Sequence, residues 1–250
     1  MKFILVLLAC VFLLSCSPKG NDDVSDSPVI DSGLTTEEEV YIDPASGEPK
    51  KLGKIFHAVK NTDLDGLFVG NFDYFFDGKN VLVVTRVKFD FEDSVSKGRR
   101  TEFKEMFFSA IHDYWVESGV YFESKDKGCL VPEIPLKLIC YESEKKCHKT
   151  IQVRNFFKRA SVATSINLAF NDSKRIMAHE FGHVLGLYDN YDGGFLENKM
   201  PWHDNRYLYD VEALMNSGEQ MRKRYFHHFL KELNSIKSLK GNYKIRAPFD

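Results

Sequence analysis

His179, Glu180, His183, Gly186 and Asp189 are the residues whose types and spacing could do chemistry. Two histidines four positions apart lie one above the other on a helix, so their rings can converge on one metal ion. Glu180 sits beside the first of them, placed to take a proton from a water that such an ion activates. Gly186 can take left-handed backbone, which ends the helix and turns the chain back. Asp189 then arrives as a carboxylate third ligand, with Asp192, His203 and Glu212 as alternatives further along. The competing reading of His-Glu-x-x-His is an amphipathic helix with polar residues at a surface. The unbroken extension through Gly186 to Asp189 favours the metal. One Zn²⁺ is the expected cofactor, because imidazole and carboxylate are ordinary zinc donors and three protein ligands leave a position for water.

Several elements must hold these residues in place. Asn171-Asp172-Ser173 supplies N-cap chemistry for the histidine helix. Upstream, 81–91 reads as a strand, with Thr85, Val87, Phe89 and Phe91 alternating with Arg86, Lys88 and Asp90. A helix is predicted over 101–118 from the stripe Phe103, Met106, Phe107, Ala110, Ile111, Tyr114 and Trp115, stopped by Gly119. His112 and Asp113 fall beside that stripe and read as surface or packing groups rather than ligands. Further strands are predicted over 120–122, 136–141, 150–154 and 165–170, whereas 52–80 offers only the turn signal Asp77-Gly78 among many aromatics. The spacing of Met221, Tyr225, Phe229, Leu233 and Ile236 predicts a final helix over 219–236, on which the adjacent His227 and His228 diverge and make a poor metal pair. A hairpin centred between Cys140 and Cys147 would set the two opposite each other, so a disulfide is expected there, with Cys129 as the alternative partner. Cys147-His148 as a second zinc site lacks ligand spacing.

The run H-E-x-x-H-x-x-G-x-x-D over 179–189, followed by Ala213-Leu214-Met215-Asn216, resembles the metzincin clan of zinc metallopeptidases. Their motif is H-E-x-x-H-x-x-G-x-x-H with a later Met-turn. With Asp189 at the last position, the snapalysin type is the most similar form. The order strand, helix, strands, histidine helix also resembles the N-terminal half of a metzincin catalytic domain. The resemblance implies an α+β domain with a twisted mixed sheet. Its edge strand (165–170) would lie over the cleft and pair with an extended substrate, and an active-site helix, a Met-turn and a C-terminal helix would follow. It implies a zinc endopeptidase acting on protein or peptide substrates, with Glu180 as general base and Met215 as an apolar floor under the ligands. The tyrosine that the family carries shortly after the methionine is missing, because Asn216 and Ser217 stand there. Tyr207, Tyr209 and Tyr225 remain as candidates for stabilising the oxyanion. The alternative is a catalytically silent metzincin-like lipoprotein that binds a protein or peptide partner.

The chain has 250 residues, 43% of them hydrophobic, which suffices for one sizeable core. Its net charge of −2 offers no basic excess for nucleic acid. Met1-Lys2, an apolar run over 3–14 and Ser15 read as a signal peptide spanning 1–15, too short for a comfortable transmembrane helix. Leu13-Leu14-Ser15-Cys16 resembles a bacterial lipobox, so Cys16, rather than Cys10, is expected to be lipidated. The expected product is exported and anchored through its N-terminal lipid to a bacterial membrane, in the periplasm or at the cell surface. Residues 16–53, rich in Ser, Asp, Glu, Pro and Gly, read as a flexible acidic tether, and 54–250 as a monomeric zinc metallopeptidase domain.

Overall fold

Val81–Phe91 forms the strand that its alternation predicts, and the sheet grows from both of its edges. The computed structural model describes residues 40–42, 48–51, 55, 57–59, 71–129, 131–145, 147–156, 160–162, 165–191, 207–239 and 242–250. All lie within one unit, Glu37–Asp250. The expected signal peptide, its Cys16 and most of the expected tether fall outside these residues. In chain order the strands are β1 (Val40–Ile42), β2 (Pro49–Lys51), β3 (His57–Val59), β4 (Asp73–Phe76), β5 (Val81–Phe91), β6 (Tyr121–Ser124), β7 (Glu133–Glu142), β8 (Lys149–Arg154), β9 (Ser161–Val162), β10 (Ser165–Ala169) and β11 (Tyr243–Arg246). The α-helices are α1 (Lys97–Tyr114), α2 (Lys174–Val184) and α3 (His227–Ser235). β1 and β2, inside the range read as tether, pair with each other antiparallel.

The large sheet runs β11-β6-β7-β5-β8-β10-β9, with β4 also on β5 and β3 on β4. β7, β5, β8 and β10 are parallel neighbours, and the remaining pairings are antiparallel. The expected α+β class with a mixed sheet is therefore what the chain forms. The strand over 165–170 does not lie at the edge. β10 is bonded to β8 on one side and β9 on the other, so β9 is the last strand on that flank among the described residues. The difference is one of pairing: β9 takes up Ile166 and Asn167 on the side that an edge strand would leave open.

β5 buries both faces at its start. Val81, Val83, Val87 and Phe89 enter the main core, while Leu82 and Val84 join Phe75 and Ile139 in a smaller cluster. α1 covers the main core with Phe103, Phe107, Ala110 and Ile111. It starts a turn earlier than its apolar stripe, because the Ser96 hydroxyl accepts the Arg99 N–H and caps it. A 3-10 turn (Val116–Ser118) and Gly119 at φ 65° end the segment. Trp115 Nε1–H donates to the Ala178 carbonyl at 2.9 Å, pinning α1 to α2. His112 and Asp113 are exposed, which selects the surface over the packing alternative.

Two expectations fail for reasons of pairing. The final helix is only α3, preceded by a 3-10 turn (Lys223–Phe226). The N–H and carbonyl of Gln220 are bonded to Glu212 and Leu214, so no helix can begin at 219. The Cys140–Cys147 bridge is not formed, and Cys129, Cys140 and Cys147 are free thiols. β7 and β8 run the same way on either side of β5, so the segment between the two cysteines crosses from flank to flank and makes no hairpin. Cys140 points into the core, where burial pushes its thiol pKa up. Among the described residues no helix is long and apolar enough to cross a membrane.

Candidate metal centre

α2 begins where the Ser173 hydroxyl accepts the Ile176 N–H, and its C-terminus is closed by a pair of backbone bonds. Leu187 N–H donates to Gly182 O and Gly186 N–H to His183 O, with Gly186 at φ 87°. This Schellman closure needs left-handed backbone at Gly186, which glycine supplies without a Cβ clash. The turn presents the Leu187 carbonyl to the helix it has just left.

That carbonyl receives His183 Nδ1–H at 2.7 Å, and the Leu214 carbonyl receives His179 Nδ1–H at 2.8 Å. A carbonyl can only accept, so each ring carries a proton on Nδ1 and leaves Nε2 to face inward, as a lone pair toward a metal or, without one, as an N–H toward a carboxylate. Both Nε2 atoms face the same atom: Asp189 Oδ1 lies 3.1 Å from His179 Nε2 and 3.3 Å from His183 Nε2. The three donor atoms all lie within 4.8 Å of one another, with His179 and His183 buried and Asp189 9% exposed. Zinc bonds of about 2.0–2.2 Å in a tetrahedron put donors about 3.4 Å apart, so this set fits the ion.

The electrostatics point the same way. Burial pushes the Asp189 pKa up, but hydrogen bonds and charge from His179 and His183 outweigh it and hold the carboxyl well below its usual range. Burial pushes the His183 pKa down, yet the hydrogen bond and charge of Asp189, with the charge of Glu180, raise it overall. Both shifts describe a pocket that attracts positive charge. Glu180 is 6% exposed, next in the chain to His179.

Met215 is fully buried beneath this helix. A Cβ at Gly182 would overlap Met215 Sδ and come within 3.1 Å of Trp115, so only glycine lets the helix settle on that side chain. Met215 N–H donates to the Tyr225 hydroxyl at 3.0 Å. Tyr225, a candidate for the oxyanion, is thus a buried support of the Met215 turn. Tyr209 is 82% exposed, and Tyr207 lies under the Arg224 guanidinium at 4.5 Å. Tyr191 stacks on His179 with ring centroids 6.3 Å apart. Its place two residues after Asp189 is the one signal that could have singled it out.

Compared with known proteins, the chain matches no family model, no curated protein and no solved structure. The geometry therefore carries the functional reading. Of the alternative third ligands, Glu212 is 69% exposed in its side chain, 4.0 Å from Arg222. Asp192 and His203 lie outside the described residues. His148 instead joins Asp73 (3.2 Å) and Arg86 in a buried cluster that ties β4 to β5. His228 packs its ring on Phe229 and Phe72, away from any metal group found among the described residues.

Proposed function

We propose that the protein is a zinc-dependent endopeptidase with a metzincin-like catalytic domain, exported and held to a bacterial membrane by a lipid on Cys16. The observation that carries the enzymatic part is the convergence of His179 Nε2, His183 Nε2 and Asp189 Oδ1, with Glu180 beside them. Zinc held there would supply Lewis acidity and lower the pKa of bound water toward neutrality. A carboxylate in place of a third imidazole lowers the site's positive charge by one, so the ion would be a weaker Lewis acid. Glu180 takes the proton from the attacking water and returns it to the departing amine. The Leu214 and Leu187 carbonyls keep both ligand rings oriented. The order of elements supports the metzincin reading, from β5 and α1 through the sheet to α2, the Met215 turn and α3. Among the described residues β9 ends the sheet, and its outer edge would offer backbone groups with which an extended peptide could pair.

The test compares wild type, Glu180→Ala and Asp189→Ala for zinc content and for cleavage of a mixed peptide library. One zinc per chain and chelator-sensitive cleavage are expected of the wild type. Glu180→Ala should keep the zinc and lose hydrolysis, and Asp189→Ala should lose both. Undiminished cleavage by pure Glu180→Ala protein would refute the assignment. A second reading, a silent binding lipoprotein, draws on Tyr225, whose hydroxyl serves the Met215 turn. Capture of peptide by zinc-loaded wild type with no cleavage would select it.

A further inference from the structure

Building on the metal reading above, we infer that Asn216 is a positioning residue: its side-chain amide sets the reach of Asp189 toward the metal. The need arises from the ligand itself. A carboxylate oxygen stands closer to its own Cα than an imidazole Nε2 does, by roughly a bond length. Backbone carrying Asp189 must therefore approach the metal more closely than backbone carrying a histidine. α2 cannot impose that approach. It ends at Val184, and the chain from Leu187 to Asn190 has no regular secondary structure.

The approach is imposed from the Met215 turn. Asn190, next to the ligand, is bonded there through both of its backbone groups. Its N–H donates to Met215 O at 2.7 Å, and its carbonyl accepts from Asn216 Nδ2 at 2.6 Å. The same Nδ2 donates its other hydrogen to Leu208 O at 3.1 Å. Asn216 is 5% exposed and its own N–H is fixed on Ala213 O, so the amide joins three chain segments at one enclosed point. The neighbouring Leu214 carbonyl orients His179. Residues 214–216 thus place the first ligand through a carbonyl and the third through an amide. An amide suits this position, since two carbonyl acceptors within reach of one buried atom call for a group with two hydrogens to give.

A residue that only stabilises the fold would matter equally whatever stands at 189. A residue that sets carboxylate reach matters with Asp189 and much less with a longer side chain. Zinc affinity of the full-length chain in detergent, by competition with a chromophoric chelator, separates the two. Asn216→Ala and Asn216→Ser are each measured with Asp189 and with Asp189→His, alongside metal-free thermal midpoints. With Asp189, loss of the amide is expected to weaken zinc binding about 10- to 100-fold. With Asp189→His the same change is expected to cost no more than about threefold. Equal losses in both backgrounds, or no loss in either, would overturn the inference. If Asn216→Ala gives no cooperative melt, Asn216→Ser carries the same comparison. A parent chain that binds no zinc would overturn the metal reading itself, a result distinct from equal losses.

Discussion

At the scale of single residues, the site depends on one position that the motif leaves unspecified. Gly182 stands between Glu180 and His183 with no chemical role, yet Met215 Sδ occupies the space a side chain would need. Gly182→Ala should therefore destabilise the protein by about 1–3 kcal/mol through overpacking. It should also weaken zinc binding, because the Leu214 carbonyl that orients His179 moves with Met215. Met215→Leu, which nearly conserves volume, should lose less than about 1.5 kcal/mol. Denaturant unfolding of the metal-free proteins gives both numbers, and a Gly182→Ala chain as stable as wild type would show that the floor is soft. The ligands themselves were legible in the sequence because they are local: a period of four and a glycine stop fall within 179–189. The Leu187 and Leu214 carbonyls were not, because a backbone acceptor leaves no mark in a sequence. Asn216 was noticed only as the absence of a tyrosine, since its partners Asn190 and Leu208 are adjacent to it only in the folded chain.

At the scale of elements, the end of α2 matters more than its start. Ser173→Ala removes one cap bond and should lower stability by about 1 kcal/mol without disturbing the metal. Gly186→Ala places a Cβ at φ 87° and should lower stability by about 1–2 kcal/mol. The Schellman bonds also aim the Leu187 carbonyl at His183, so this second variant should bind zinc at least tenfold more weakly. Zinc titration of the two side by side tests the asymmetry, and equal effects would dismiss it. The same distinction decides which elements could be read in advance. β5 and α1 announced themselves by alternation and by a three-four stripe, and the structure keeps both. β4 is buried on every residue, so it has no alternation and was lost among aromatics. β10 was expected at the edge through the resemblance alone, and nothing in its sequence reveals the two-residue β9 beyond it. The cysteines misled because spacing alone cannot distinguish a hairpin from a crossover around β5.

At the scale of the whole molecule, metal and protons act on stability in separable windows. Zinc bound only by the folded chain should add about 2.7 kcal/mol at a hundredfold excess over Kd. For a domain of this size that is a rise of roughly 5–10 °C in Tm, reversed by chelator and absent in Asp189→Ala. Once the metal is removed, His228 governs mildly acidic pH. Its ring is enclosed, Nε2 has no hydrogen-bond partner, and burial followed by the neighbouring charge of His227 lowers its pKa to about 3. The unfolded chain binds a proton here below about pH 6.5 and the folded chain does not, so stability falls as pH drops from 6.5 toward 3. At pH 5 the loss should be about 2 kcal/mol. His227, also lowered by burial, acts in the same direction. Asp210 is held at about 2 by Arg222 and Arg224 after a smaller opposing effect of burial. Its contribution is present above pH 3.8 and is lost only as pH falls through 2, below the window. Urea unfolding in chelator at pH 6.5 and pH 5, with wild type beside His228→Phe, therefore separates His228 from His227 and from His183, whose raised pKa opposes it. His228→Phe should remove most of the difference, and an unchanged slope in that variant would mean that the ring takes up its proton without leaving the core.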